Sequence, residues 1–157
     1  MNFKIGDLVI HCREGLARIS AVTEIDGRAF YLVISERQGN ETIYVPIDKA
    51  DLIIRKIMTV GEADELISYM NSIDFEFNRN TKQRRDLYKK KLASGEVREL
   101  AYLFRQYQLC KKYPEEVKLG PVDIDMLSYA TNNLLDEFAL TYKVDRNKIE
   151  EYIYSKL

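Results

Sequence analysis

The spacing of apolar residues divides the chain into two parts near residue 58. Before that point apolar residues come in short runs, several of them alternating with polar residues as in β-strands, and turn residues separate the runs. The candidate strand segments are Leu8–Ile10, Ala17–Val22, Phe30–Ile34, Thr42–Val45 and Leu52–Ile54. The candidate turns are Glu14-Gly15, Asp26-Gly27 and Gln38-Gly39-Asn40, and the Asp-Gly pair is a strong hairpin signal. Five short strands in about 55 residues predict a small β-barrel or a strongly bent sheet.

From Thr59 onward the apolar positions follow the period of a helix. Thr59 and Glu62 have the spacing of a capping box, in which each side chain satisfies a free backbone amide at a helix start. The helical spacing continues to the end of the chain and predicts about five helices joined by short loops. Further helix boundaries are signalled by Asn78 or Asn80, Gly95, Pro114, Pro121 and Asp145. The sequence therefore predicts an α+β protein, with a barrel domain in residues 1–58 and an all-α helical bundle in residues 59–157.

Composition is that of a globular protein, with 46% hydrophobic and 31% charged residues. Because the chain contains neither an apolar signal segment at its start nor a run of about 18 apolar residues, we expect a cytoplasmic protein without membrane contact. Cys12 and Cys110 stand in unlike contexts, and neither belongs to a Cys/His cluster. We expect both to be reduced, buried thiols.

The sequence motifs give little support for an enzymatic function. The chain contains no Gly-rich phosphate loop, nucleophile elbow or zinc-protease motif. The only histidine, His11, ends an apolar strand segment and is predicted to be a packed or rim residue. Carboxylate pairs such as Asp123/Asp125 stand at predicted helix starts or on solvated faces. We therefore predict that the protein is not an enzyme and uses no metal, cofactor or small-molecule substrate.

Positive charge is concentrated in one segment, although the net charge is only -1. Residues 78–112 carry 11 Lys or Arg against 3 Asp or Glu, whereas residues 61–77 carry none against 5. Such a run is often only a solvated helix face, and Lys89-Lys90-Lys91 fits that interpretation. Contact with phosphate is favoured because several cations cluster around one helix start, whose amides also attract anions. The cluster comprises Arg79, Lys82, Arg84, Arg85 and Lys89.

Motifs in register along nearly the whole chain resemble the CarD family of bacterial RNA polymerase-binding transcription regulators. The amino-terminal module of this family is shared with transcription-repair coupling factors. In the first part the matching segments are Phe3–Ile10, Gly15–Ile19 and Thr42–Ala50. In the helical part they are Lys91–Gly95, Glu99-Leu100-Ala101 with Arg105, and Met126–Ala139. Each motif alone is weak, but their common order and spacing are fairly specific.

The resemblance implies an SH3-like or Tudor-like barrel that binds the RNA polymerase β subunit through an edge strand. A free strand edge suits this contact, because its unpaired N–H and C=O groups can pair with a strand of the partner. The implied polymerase-binding residues are Thr42, Ile43, Tyr44, Val45 and Pro46, with Ile43 and Tyr44 as the principal contacts. The helical domain would contact promoter DNA without reading its sequence and modulate the stability of the open complex.

The chain departs from the family pattern at the DNA contact. Family members commonly carry a Trp that wedges into the minor groove, and an ungapped count back from Lys91–Gly95 places that position at Thr81. Threonine is too small to wedge a base step, so we predict a diverged member that holds the DNA backbone. The predicted DNA-contacting residues are Thr81, Lys82, Arg84, Arg85 and Lys89. The alternative function is a protein–protein adaptor without DNA binding, whose basic helix docks on an acidic protein surface.

Overall fold

The computed structural model describes residues 2–36 and 41–157, and the predicted turn Gln38-Gly39-Asn40 lies outside these ranges. The chain divides into two compact units, Met1–Ile57 and Met58–Leu157, called here the sheet unit and the helical unit. Among the described residues no helix is both long and apolar enough to cross a membrane.

The sheet unit is a five-stranded antiparallel sheet with the order β4-β3-β2-β1-β5. Its strands are β1 (Leu8–His11), β2 (Gly15–Ile25), β3 (Arg28–Ser35), β4 (Thr42–Pro46) and β5 (Ile54–Lys56). A 3-10 turn, Ile47–Lys49, and the short helix α1, Ala50–Ile53, connect β4 to β5. The core on one face of the sheet is formed by Phe3, Val9, Ala17, Ile19, Tyr31, Val33, Val45, Ala50 and Ile54.

The predicted hairpin at Asp26-Gly27 is confirmed. Ile25 pairs with Arg28 across a two-residue turn, in which Asp26 has φ 51° and Gly27 has φ 79°. Positive φ at both central residues defines a type I′ turn, whose twist matches that of the two flanking strands. The Asp-Gly pair therefore sets the register of β2 against β3 from the turn as far as the shift in register between Ile19 and Ala21.

The predicted fifth strand segment, Leu52–Ile54, is largely wrong. Leu52 and Ile53 belong to α1, and only Ile54 begins a strand. A short apolar run without alternation does not distinguish a helical turn from a strand, and Leu52 is in fact 82% exposed. The α+β class is confirmed, but barrel closure is not detected: within the described residues, no pairing of β4 with β5 joins the two ends of the sheet.

The helical unit, all of which the structure describes, contains five helices, as predicted. They are α2 (Val60–Asn71), α3 (Thr81–Ser94), α4 (Val97–Lys112), α5 (Pro121–Tyr142) and α6 (Arg146–Tyr154). One apolar core unites them, and its largest fully buried side chains include Phe104, Phe138, Leu103, Leu134 and Met70. Cys110 is buried as predicted, whereas the prediction for Cys12 is wrong, because Cys12 lies exposed in the turn between β1 and β2.

Local capping signals predict the helix ends well. Thr59 Oγ1 accepts the Glu62 N–H at 3.2 Å, and Glu62 Oε1 accepts the Thr59 N–H at 3.4 Å, which completes the capping box. Of the two candidate asparagines, Asn80 caps α3 by accepting the N–H of Gln83 at 3.0 Å. Asn78 supports this cap by accepting the Asn80 N–H. These hydrogen bonds stabilise the first turn of the basic helix α3.

Candidate functional site

Strand β4 lies at the edge of the sheet and presents alternate side chains to solvent. Val45 is fully buried, and Ile43 packs against the core of the sheet unit, whereas Tyr44 is 54% exposed. The Tyr44 ring meets the Phe30 ring edge-to-face, with the ring centroids 6.3 Å apart. Of the predicted contact residues, Thr42 and Tyr44 therefore face outward, while Ile43 and Val45 support the strand from within.

The backbone of β4 shows which amides face away from the sheet. Glu36 donates its N–H to the carbonyl of Leu16, on the β2 side of the chain, whereas Ser35 donates to the carbonyl of Glu41 on the β4 side. Hydrogen bonding alternates along an antiparallel pair, and Leu32 lies opposite Tyr44 in the β3–β4 register. The N–H and C=O groups of Thr42 and Tyr44 consequently point away from β3.

A basic face runs along one side of α3 in the helical unit. Arg85 follows Lys82 by three residues and Lys89 follows it by seven, so all three lie on the same side of the helix. Lys82 and Lys89 are exposed, and the Arg85 side chain is 32% exposed. The guanidinium of Arg85 approaches Gly120 so closely that a Cβ added at Gly120 would lie 2.9 Å from Arg85 Nη2. The basic face, defined as Lys82, Arg85 and Lys89, therefore extends to the start of α5.

Arg84, also predicted to contact DNA, is 4% exposed and lies inside the helical unit. Its Nε and Nη2 donate to the two carboxylate oxygens of Asp123 at 3.1 and 2.8 Å. Its Nη1 donates to the carbonyl of Asn78 at 3.0 Å, and the guanidinium lies over the Phe77 ring. The structure thus assigns Arg84 to the fold, where the polar groups of its guanidinium bind other parts of the unit.

The Arg84–Asp123 pair brings two helix starts together. Arg84 lies in the first turn of α3 and Asp123 in the first turn of α5, where Asp123 also accepts the N–H of Gly120 at 3.0 Å. Free amides at a helix start carry a partial positive charge. The start of α5 also lies beside the basic face, through the approach of Arg85 to Gly120. Sequence reasoning missed this pairing, because it identified Asp123 only as a helix-start carboxylate.

The buried pair keeps Asp123 ionised. Burial alone would raise the pKa of Asp123. The hydrogen bonds from Arg84 and from the Gly120 N–H have the opposite effect and together outweigh burial, so the pKa lies below its ordinary value of 3.8. A carboxyl whose pKa is lower in the folded state stabilises the fold above its unfolded-state pKa. That stabilisation is lost as the pH falls through the folded-state pKa.

We expect acid to weaken the helical unit through Asp123. Below pH 3.8, the free energy of unfolding should fall more steeply in the wild type than in an Arg84→Met, Asp123→Leu double variant, which lacks this titration. Urea denaturation at several acidic pH values, followed by helical circular dichroism, measures the difference. Equal slopes in the wild type and the double variant would contradict the prediction.

Other cations of the basic segment are engaged within the helical unit. Lys91 Nζ lies 2.8 Å from a Glu99 carboxylate oxygen and over the ring of Tyr102. Thr81, by contrast, is the exposed first residue of α3, at the same helix start as the basic face. The structure therefore places Thr81, Lys82 and Lys89 at the surface, whereas Arg85 is partly buried, with its Nε 3.6 Å from Asp123 Oδ1.

The single histidine has a structural position. His11 is buried, and its Nδ1 accepts the N–H groups of Arg13 and Glu14 at 3.1 and 3.2 Å, which holds the β1–β2 turn. Burial lowers the pKa of His11 and favours the neutral ring that these bonds require. Among the described residues, no group of three or more His, Cys, Asp and Glu side chains could hold a metal ion.

Two family models match the chain. The model for the CarD-like/TRCF RID domain matches residues 3–58, and the model for the CarD C-terminal domain matches residues 65–154. The first match covers all five strands, including the edge strand β4. The second covers α3 and α5, which carry the basic face and the Arg84–Asp123 pair.

Proposed function

The chain belongs to the CarD family of transcription regulators, and we propose that it binds the RNA polymerase β subunit and the promoter DNA backbone to modulate the stability of the open complex. CarD family proteins are non-enzymatic transcription factors that act through RNA polymerase. The finer assignment rests chiefly on one observation, the free edge of β4 in the domain that matches the RID model.

The polymerase contact is proposed at the free edge of β4. The outward N–H and C=O groups of Thr42 and Tyr44 can pair with an edge strand of the β subunit, as in other cases of strand addition. The exposed ring of Tyr44, which packs on Phe30, offers an apolar and aromatic contact beside these bonds. Val45 and Ile43 keep the strand in place by packing into the core.

The DNA contact is proposed at the basic face, with Thr81 at its start. Its cations are suited to phosphate oxygens, and neither they nor the nearby amides distinguish one base pair from another. With Thr81 in place of the wedging Trp, the contribution to the open complex comes from backbone contacts. A preference of roughly 1 to 2 kcal/mol for the open over the closed complex shifts that equilibrium about five- to thirtyfold.

Open-complex lifetime in a purified transcription system tests the proposal. We expect the protein to bind an isolated β-subunit fragment that contains the docking strand and to change the lifetime of the open complex on a promoter. A protein that does neither contradicts the proposal. Binding to the fragment without any effect on DNA or on lifetime would instead favour the adaptor function.

Salt dependence of binding to plain duplex DNA tests the basic face. The logarithm of the affinity should fall with the logarithm of the salt concentration by about 0.9 for each phosphate contacted. A Lys82→Gln, Lys89→Gln variant should reduce this slope by up to about 1.8. The matched control is Lys143→Gln, Lys148→Gln, which removes two exposed lysines at the end of α5 and on α6. Equal slopes in the two variants would exclude the basic face, and no binding by the wild type would exclude DNA contact.

A further inference from the structure

The chain leaves the sheet unit and enters the helical unit through a very short connection. Strand β5 ends at Lys56, and helix α2 begins at Val60. Within this connection Thr59 is already fixed as the cap of α2, through its paired hydrogen bonds with Glu62. Met58 precedes it and is buried in the core of the helical unit.

Both backbone polar groups of Met58 are bound by side chains of α5. The N–H of Met58 donates to Glu137 Oε2 at 2.8 Å, and the carbonyl of Met58 accepts the hydroxyl of Thr141 at 2.9 Å. Glu137 and Thr141 are one helical turn apart, so the same side of α5 supplies both partners. Together they form a clamp, defined here as Glu137, Thr141 and the Met58 backbone.

Burial of a carboxyl group at position 137 is unfavourable in free energy. Glu137 is only 1% exposed, and burying a polar group is unfavourable unless hydrogen bonds satisfy it. An apolar side chain could fill core space at that position without this cost, but it could not bind a backbone N–H. The carboxylate therefore specifies where the chain enters the helical unit, in addition to filling the core.

We propose that Glu137 and Thr141 are positioning residues that shorten the flexible part of the connection between the sheet unit and the helical unit. This connection, from the end of β5 to the start of α2, is called here the tether. With Met58 clamped and Thr59 capping α2, only Ile57 separates strand β5 from a fixed residue. When two binding modules are joined, the length and stiffness of the tether set the effective concentration of the second module once the first is bound. A polymerase-bound sheet unit thus presents the basic face to DNA through a tether of minimal length. This inference rests on the proposed function.

The matched pair Thr141→Val and Thr141→Ser tests the clamp in the full-length protein. Valine keeps the β-branched shape of threonine without the hydroxyl donor, whereas serine keeps the donor. Thr141→Val should leave the affinities for the β-subunit fragment and for duplex DNA unchanged, yet reduce the effect on open-complex lifetime by roughly threefold or more. Thr141→Ser should stay close to the wild type. In hydrogen exchange, protection of the Met58 and Thr59 amides should fall only in the valine variant.

Insertion of two glycines between Ile57 and Met58 separates positioning from stability. The insertion lengthens the tether but leaves the clamp and the helical core intact. It should reduce the effect on open-complex lifetime as Thr141→Val does. The two changes combined should act less than additively, because both lengthen the flexible part of the tether. Additive losses, or a loss of DNA affinity in Thr141→Val alone, would assign Thr141 to stability and overturn the proposal.

Failure of the inference is distinguishable from failure of the proposed function. If the wild type changes the open-complex lifetime and both the insertion and Thr141→Val keep the full effect, the clamp has no positioning role and the proposed function stands. If the wild type neither binds the β-subunit fragment nor changes the lifetime, the proposed function fails and the inference fails with it. The insertion variant keeps the test decisive even if Thr141→Val does not fold.

Discussion

Replacement of Asp123 by asparagine is expected to lower the free energy of unfolding of the helical unit by about 3 kcal/mol or more. The change leaves the Arg84 guanidinium buried, at 4% exposure, without the carboxylate that accepts two of its hydrogen bonds. Removal of one partner of a buried ion pair is costly because the other charge stays desolvated. Denaturation by urea, followed by helical circular dichroism, measures the loss.

Two comparisons define what the Asp123 result means. Asp125→Asn changes an exposed carboxylate two residues further along α5 and should alter the stability by less than about 0.5 kcal/mol. The Arg84→Met, Asp123→Leu double variant removes both charges and should recover most of the stability that Asp123→Asn loses. A loss below about 1 kcal/mol in Asp123→Asn would show that solvent reaches Arg84 after all.

A proline at position 44 is expected to weaken binding to the β subunit at least tenfold. The amide of Tyr44 points away from β3, so proline removes no bond within the sheet but deletes one donor at the free edge. Its ring also occupies the space in which the partner strand would lie. One hydrogen bond contributes about 0.5 to 1.5 kcal/mol, and the steric conflict adds to this, which together exceed the 1.4 kcal/mol of a tenfold change.

A second variant distinguishes the contribution of the Tyr44 side chain to binding from that of the Tyr44 backbone. Tyr44→Thr keeps the amide and the strand propensity but removes the ring that packs on Phe30. If strand pairing dominates, Tyr44→Thr should retain most of the affinity for a purified β-subunit fragment, whereas Tyr44→Pro should not. Wild-type affinity in the proline variant would exclude the free edge of β4 as the docking strand. Ile43 is a poor position for such tests, because it packs against the core.

Features with a local cause could be predicted from the sequence. The Asp26-Gly27 turn, the Thr59 capping box and the end of α3 at Gly95, with φ 70°, each depend on a few neighbouring residues. The alternation that places Val45 inside and Tyr44 outside is likewise a local property of a strand. The free edge itself was expected from the family resemblance, and the direction of its amides required the observed register.

Features with a distant cause could not be predicted from the pattern. Arg84 and Arg85 are adjacent cations in the sequence, and nothing local distinguishes them. Arg84 is buried because Asp123, 39 positions later, accepts two of its hydrogen bonds. The clamp on Met58 depends in the same way on Glu137, 79 positions later. Charge clustering therefore indicated the helix that carries the basic face, but it could not separate the residues that hold the fold from those that face solvent.

The two neighbouring arginines of α3 are expected to evolve under different constraints. At position 85 a lysine would preserve a cation on the basic face, so exchange between the two residue types should be tolerated. At position 84 a lysine could not reproduce the bidentate fork to Asp123 together with the bond to Asn78. Selection at position 84 would act through the amount of folded protein in the cell. Selection at position 85 would act through the rate of transcription from the promoters at which the protein binds.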